Sequence, residues 1–431
     1  MSKVKQHFIA DLKDSRRIAR EARTGIMPWL YWAIAASFYL YEFFARVAPA
    51  VIEGTLQTEF TMTASEVGFV MGLYYLSYAP MQLVVGMALD RFGSKNLLST
   101  AAIIAGIGCL TFALAHSVAL LGLGRIMLGI GSSFAYVGAV YVATVWFPRR
   151  RLALIMGLTA ALGTIGAALG QVPLEAAVQT YGWREAMYTA AIGGLMIAIL
   201  IWLIVPKRPE WFLKLVSIEN PVTKESMFAG LREVVSDGQT WLVAIIGLLL
   251  YVPISTFGAL WGNEYISTAT GVSDDLTAWA MTMLFLGFAV GGPLFGLFSD
   301  KFNTRRIPML YGGALCAGSM SMLLFASLFP FWVTVCFLTL TGFFAGAQVI
   351  TFALAVEQHS STCKATAVAF VNFFVMLGGF MLQPMFGAVL DLTTSTTTYT
   401  AGDYRIALVM LPFSLAVGTL LCRWLKDVKS P

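Results

Sequence analysis

The chain has 431 residues, of which 58% are hydrophobic and only 12% are charged, with a formal net charge of +5 at pH 7. Soluble globular domains contain about 45–50% apolar and about 25% charged residues. This composition excludes a soluble globule and predicts an all-α integral membrane protein.

Neither the histidines nor the cysteines have the sequence spacing of a metal or cofactor site. His7, His116 and His359 lie far apart in the sequence, which argues against a metal centre. The five cysteines lie in apolar runs or at predicted cytoplasmic ends, so we expect no disulfide framework. No pairing of nucleophile with base and no phosphate-cradling loop is evident. The sequence therefore predicts a protein that is not an enzyme and needs no metal or cofactor.

Residues 1–26 are rich in Lys and Arg and precede the first apolar run. They contain no apolar stretch of the kind that a cleaved signal peptide requires. We expect a basic cytoplasmic arm, able to form a short amphipathic helix on anionic lipid headgroups.

Twelve apolar runs of about 20 residues follow, each long enough to cross a bilayer. They are residues 27–52, 66–89, 97–115, 119–147, 152–176, 185–205, 240–262, 277–298, 307–329, 331–356, 366–390 and 404–424. The longest polar break, 206–239, divides them into six and six. The predicted organisation is an amino-terminal bundle (27–205), a cytoplasmic central loop (206–239), a carboxy-terminal bundle (240–424) and a cytoplasmic tail (425–431).

The first run carries two opposite charges at membrane depth. Glu42 and Arg46 are four residues apart and share one helix face, with Tyr39 about one turn earlier. Ionisable residues within a bilayer usually face a bundle interior or a wet cavity. The pattern predicts a polar site inside the protein; a permanent Glu42–Arg46 ion pair that only stabilises the helix is the alternative.

Basic residues predict the orientation of the chain. All but four of its 28 Lys and Arg residues fall on one side of the predicted membrane. The exceptions are Arg46 and Arg125 within runs and Arg184 and Arg405 on the other side. By the positive-inside rule both termini are cytoplasmic. The positive net charge is thus explained by the Lys and Arg residues on the cytoplasmic side of the membrane, and we expect no nucleic-acid partner.

The two halves carry an internal repeat with an offset of 210 residues. The turn after the second run contains Gly86, Asp90, Arg91, Phe92, Gly93 and Lys95, and the turn after the eighth contains Gly296, Asp300, Lys301, Phe302 and Arg305. Tyr41 and Tyr251 keep the same offset.

Arg125 opens a polar stripe in the fourth run. Gly129, Ser132, Ser133 and Tyr136 follow on the same helix face. At about 1.5 Å per residue, Glu42 lies roughly 15 Å and Arg125 roughly 9 Å from the predicted outer helix ends, so the two could meet. The alternative is that Arg125 snorkels to the outer interface.

These motifs resemble those of the major facilitator superfamily. Residues 86–95 are similar to its signature loop, and Arg125 with Gly129 and Gly131 is similar to a motif associated with proton handling. The resemblance implies two six-helix bundles related by an internal repeat, and alternating access along spans 1, 4, 7 and 10. It also implies gating at the repeated turns, for which the expected residues are Gly86, Asp90, Arg91, Gly93, Asp300 and Arg305.

We expect a secondary transporter of a small polar solute, with Glu42 and Arg125 coupling transport to protons. The expected substrate contacts are Tyr39, Glu42, Arg46, Arg125, Tyr136, Tyr251, Gln348 and Asn372. One carboxylate beside guanidiniums suits an amino acid or similar zwitterion. The stretches 41–49 and 74–82 are also similar to bacterial phagosomal amino-acid transporters.

Three alternatives remain open. They are an organic-anion transporter, a drug/proton antiporter and a transport-dead membrane sensor. The glycine-rich fifth run lacks the Gly-Pro step of drug/proton antiporters, which weakens the efflux interpretation. The expected setting is the bacterial inner membrane, with lipid, protons and a small-molecule substrate as partners and a monomer as the functional unit.

Overall fold

The computed structural model describes residues 17–18, 21–23, 25–207, 209, 211–212, 227–359, 364–393 and 399–427. Residues 1–16 of the predicted cytoplasmic arm and residues 213–226 of the predicted central loop lie outside the described part. The described part is helical and contains no strand.

Twelve spans can be traced through the described helices. Their segments are, in order, Met27–Val47 with Pro49–Phe60; Ala64–Phe92; Ser94–Ala113; Val118–Ser132 with Ala135–Trp146; Arg149–Leu169 with Val172–Tyr181; Trp183–Ile204; Gly238–Leu250, Pro253–Trp261 and Gly262–Thr270; Asp274–Lys301; Arg306–Leu323; Phe331–Ala345, Gly346–Val349 and Ile350–Glu357; Lys364–Thr393; and Ala401–Leu408 with Met410–Leu421. A short helix, Met227–Ser236, precedes span 7.

Ten of these spans are long and apolar enough to cross a membrane on their own. Spans 1 and 9 complete the set: Met27–Val47 packs against spans 4, 5 and 6, and Arg306–Leu323 packs against spans 10 and 12. The predicted all-α membrane fold of two six-helix bundles is confirmed.

Span 1 is longer than the sequence suggested. Its first helix ends at Val47, and a second helix begins at Pro49 and continues to Phe60 instead of ending near residue 52. Proline is well tolerated at the first helical position, where an N–H would have no partner. Thr61, at φ 53°, ends the helix. The extension places Glu53 inside a helix.

Span 7 contains an irregular stretch. Residues Pro253–Trp261 form a π-helical segment, all of it buried, between two α-helices. Such segments are rare and are found mostly at functional sites. It packs against span 1 of the other bundle.

We call the end of the molecule opposite residues 27 and 424 the distal end; the sequence predicts that it faces outward. Here spans 2 and 11 cross very closely. A Cβ added at Gly68 would lie 2.5 Å from the carbonyl oxygen of Gln383, and one at Gly387 would lie 2.2 Å from that of Ala64. Asp391 also accepts hydrogen bonds from the backbone N–H groups of Ala64 and Ser65, at 3.0 and 2.9 Å. The bundles are therefore in contact at the distal end.

Candidate functional site

Glu42 and Arg46 form an ion pair inside the protein. Their side chains are 0% and 4% exposed, and Nε of Arg46 donates to Oε1 of Glu42 at 2.8 Å. The one-turn spacing on span 1 makes this geometry available within a single helix. The second oxygen of Glu42, Oε2, has no hydrogen-bond partner. The ion pair is thus removed from water, and one of its carboxylate oxygens has no hydrogen bond.

Aromatic side chains surround the pair. The Tyr74 hydroxyl donates to Glu42 and accepts from Nε of Arg46 at 3.2 Å. The Arg46 guanidinium lies 4.3 Å from the ring centre of Phe43 and 5.3 Å from that of Tyr78. Cations are attracted to such ring faces, and more strongly when they are desolvated. The rings hold the arginine in place while excluding water.

Tyr251 brings the second bundle to the site. Nη1 of Arg46 lies 3.5 Å from its hydroxyl. Tyr251 follows the first helix of span 7, two residues before the π-helical segment, and its ring packs on Phe288 of span 8. Arg46 therefore contacts both bundles.

Arg125 is buried near the pair but does not bond to Glu42. Its exposed fraction is 3%. Nε and Nη2 donate to the carbonyl oxygen of Met71 at 3.3 Å, and Nη1 donates to that of Ala45 at 3.2 Å. Tyr74 lies between the two arginines, with its ring centre 4.9 Å from Arg125. This geometry argues against snorkelling, because the guanidinium bonds to spans 1 and 2 instead of reaching an interface.

Of the remaining predicted substrate contacts, two lie in the amino-terminal bundle and two in the carboxy-terminal bundle. Tyr39 and Tyr136 are half-buried and lie against each other, with ring centres 5.1 Å apart. Gln348 is buried and donates to Thr351 on its own span at 3.3 Å. Asn372 donates to Gln82 across the bundles at 3.0 Å.

The first repeated turn is only partly described. Gly93 has φ +77°, which favours glycine, and it separates spans 2 and 3. Arg91 is exposed and lies over the Phe92 ring at 5.3 Å. A Cβ at Gly86 would meet no atom within 4 Å. The Asp90 side chain lies outside the described part.

The second repeated turn forms a charge network. Arg305 pairs with Asp300 and with Glu357 of span 10, each at 2.5 Å. The hydrogen bonds that Arg305 donates to the Glu357 carboxylate outweigh burial and raise the pKa of Arg305. Asp427 accepts from the backbone N–H groups of Arg305 and Arg306, at 2.8 and 2.9 Å. Sequence reasoning did not assign Glu357 or Asp427 to this turn, since both are distant in the chain.

Sequence reasoning also did not identify Tyr74 as a partner of Glu42. Its spacing of one turn from Tyr78 on span 2 is a signal that could have found it.

Comparison with known families supports the same architecture. The family model of the Major Facilitator Superfamily matches residues 30–262 and 243–431, which together cover nearly the whole chain. The chain belongs to the Major Facilitator Superfamily. Its resemblance to that family, inferred from the repeated turns and Arg125, is therefore confirmed.

Several members of the Major Facilitator Superfamily are similar over nearly their whole length. The membrane sensor protein UhpC of Escherichia coli is 25% identical, covering 91% of this chain and 92% of that protein. The probable sulfoacetate transporter SauU of Cupriavidus necator is 23% identical, with coverage of 89% and 90%. The hexuronate transporter of Escherichia coli is 23% identical, with coverage of 92% and 94%.

A solved structure shares the fold. The inward-facing, occupied form of a bacterial homologue of the human lysosomal transporter Spinster superposes with a TM-score of 0.76. It is 16% identical and covers 95% of this chain and 100% of that one. This chain is therefore a multi-pass membrane protein with the architecture of the superfamily's transporters.

Proposed function

We propose that this protein is a secondary transporter of small organic anions that works by alternating access. The observation that carries the proposal is the charge of the buried centre. Arg46 and Arg125 contribute two guanidiniums and Glu42 one carboxylate, so the cluster has one formal positive charge in excess. A buried cation lowers its energy by binding an anion.

The position of Arg46 supports this proposal. It contacts Glu42 on its own helix and Tyr251 of the other bundle. A carboxylate or sulfonate that bound Arg46 would therefore change contacts in both bundles. Alternating access requires such a coupling between the substrate and the two bundles. Sulfoacetate and hexuronates, which the names of two relatives specify, are anions.

An amino-acid substrate is the second candidate, favoured by one observation. Glu42 Oε2 has no partner, and a substrate ammonium group would provide one. The carboxylate of the same substrate would pair with an arginine. This is the zwitterion that the sequence predicts.

Proton coupling belongs to the proposal as well. Glu42 is the predicted coupling group, and it is ion-paired with Arg46 in this structure. A substrate anion that competed for Arg46 would weaken that pair and favour proton uptake by Glu42. Arg125 would maintain the positive potential of the site throughout.

The test is thermal stabilisation of the purified protein, because a ligand that binds only the folded form raises its melting temperature. The panel contains small carboxylates, sulfonates, hexuronates, amino acids and neutral sugars at two pH values. Stabilisation by anions that is lost in Arg46→Gln and kept in the matched variant Arg184→Gln supports the proposal. Stabilisation by amino acids alone moves the proposal to the zwitterion.

Uptake into liposomes then separates transport from sensing. Accumulation of the stabilising anion under an imposed proton gradient is the expected result. Binding without uptake or exchange would instead support a transport-dead sensor, the alternative that the similarity to UhpC favours.

A further inference from the structure

A second buried acidic site lies at the distal end, away from the Glu42–Arg46 pair. Glu53 is on the second helix of span 1, Pro49–Phe60, and is 1% exposed. This helix packs against Pro253–Trp261 and Gly262–Thr270 of span 7. Glu53 is therefore enclosed where the two bundles meet.

Glu264 approaches the same helix from the other bundle. A Cβ added at Gly54, the neighbour of Glu53, would lie 3.3 Å from Oε2 of Glu264. Glu264 is half-buried at the start of its helix. Two carboxylates, one from each bundle, thus share this part of the interface.

The hydrogen bonding around Glu53 is incomplete. Oε1 accepts from Gln57 at 2.7 Å, and Oε2 has no partner. Nearby on the same interface, Asn263 donates to Gln171 of span 5 at 3.0 Å. This leaves Oδ1 of Asn263 and Nε2 of Gln171 unpartnered, although the residues are only 8% and 0% exposed.

The charged groups around Glu53 do not neutralise it. Glu264 faces it from span 7, and Tyr404 of span 12 and Tyr399 also interact with it electrostatically. On its own helix, Glu59 pairs with Arg184 at 2.5 Å. The other helices packed against it are those of spans 2 and 5 and the first helix of span 1. Charged residues on these helices include Glu66, Glu175 and the ion pair of Glu42 with Arg46, and Asp274 of span 8 interacts electrostatically with Glu264. In the described part of the chain, no ion pair includes Glu53 or Glu264.

A buried carboxylate without a counter-charge is costly, and a second carboxylate nearby increases that cost. A proton removes the charge and turns the unpartnered Oε2 into a donor. Separation of the bundles would admit water, which stabilises the ionised form.

We propose that Glu53 and Glu264 form a proton-binding pair that takes up one proton when the distal end closes and releases it when that end opens. This inference rests on the proposed alternating access and adds a coupling site beside Glu42. It makes closure of the distal end pH-dependent even without substrate.

The experiment measures the distance between spin labels across the distal end of the full-length protein in nanodiscs, without substrate, from acidic to alkaline pH. The labels replace Tyr181 of span 5 and Leu392 of span 11, which are 71% and 86% exposed, in a background without native cysteines. The expected result is a short distance at low pH that shifts to a longer one as the pH rises.

Glu53→Gln and Glu264→Gln are expected to abolish or weaken this shift and keep the short distance at high pH. Glu59→Gln, on the same helix but already paired with Arg184, is the matched control and is expected to keep the full shift. An unchanged shift in both Glu53→Gln and Glu264→Gln would overturn the proposal, as would a distance that follows sodium concentration at fixed pH.

Ligand binding distinguishes this inference from the proposed function. The Glu53→Gln variant should retain the thermal stabilisation by anions that the Arg46→Gln variant loses. If no anion stabilises the wild-type protein, the proposed substrate class fails, while the pH-dependent distance still tests the proton pair.

Discussion

Arg46 and Tyr251 meet across the boundary between the two bundles, with Nη1 of the arginine 3.5 Å from the tyrosine hydroxyl. The same guanidinium is paired with Glu42. A change at the ion pair therefore reaches span 7 through one side chain, just before its π-helical segment begins.

Replacing Glu42 by Gln should abolish proton-driven accumulation and spare substrate exchange. It also leaves Arg46 as an uncompensated buried charge, which typically costs about 3–5 kcal/mol of stability. Thermal unfolding and liposome uptake measure the two effects. Tyr74→Phe, which removes the hydroxyl that bonds to both Glu42 and Arg46 but leaves the ion pair, should cost about 1.5–3 kcal/mol. Normal accumulation by Glu42→Gln would remove Glu42 from the coupling role.

Replacing Arg125 by Ala should impair substrate binding or coupling far more than replacing Arg184 by Ala. The first change removes the hydrogen bonds that a charged donor makes to the buried carbonyl groups of Met71 and Ala45, at a cost of about 1.5–3 kcal/mol for each carbonyl. Arg184 pairs with Glu59 and is 25% exposed, so its removal should cost less than about 1 kcal/mol. Equal and mild effects on melting temperature and uptake would contradict this assignment.

Replacing Gly68 by Ala should prevent the distal end from closing fully, since its Cβ would lie 2.5 Å from the backbone of Gln383. Backbone atoms at such a distance must move apart. Gly193→Ala on span 6 is the control, because its Cβ would meet no atom within 4 Å and it lies outside the repeated turns. Labelling of a cysteine at the distal end by a water-soluble maleimide should rise in the first variant only. Equal labelling would show that this crossing does not limit closure.

Replacing Asp427 by Asn should destabilise the protein at neutral pH but not in strong acid. Partial burial opposes ionisation of Asp427, but hydrogen bonds from Thr304 and from the backbone N–H groups of Arg305 and Arg306 outweigh it and lower its pKa. A carboxyl with a depressed pKa in the folded state contributes stability above its unfolded pKa of about 3.9 and loses it as the pH falls through the folded value.

The melting temperatures of the wild-type and Asp427→Asn proteins should therefore differ at pH 7 and converge toward and below pH 4. Lys426→Gln, at the preceding position, controls for the loss of a charge in the tail. A difference that stayed constant with pH would show that the carboxylate's charge is not the source of stability.

Much of the architecture follows from hydropathy and repetition in the chain. The length of an apolar run is set by the thickness of the bilayer, and the two turns at Asp90 and Asp300 mark the two halves. The Glu42–Arg46 pair could also be predicted from the sequence, because a spacing of four residues brings two side chains together on any α-helix.

Other features depend on which helix packs against which. The position of Arg125 in the fourth apolar run places it at membrane depth. Its partners are backbone carbonyl groups of spans 1 and 2, and these cannot be predicted from sequence because every residue has a carbonyl group. Asn372 and Gln82 are 290 residues apart in sequence and meet only because spans 2 and 11 cross.

Glu53 shows the division most clearly. The sequence by itself determined that an acidic residue follows the first apolar run, where water would normally solvate it. Only the tertiary structure decided that the helix continues past Pro49 and that span 7 covers it. Burial of a charged group depends on all the helices that pack around it, and the neighbouring residues in the chain do not specify which helices those are.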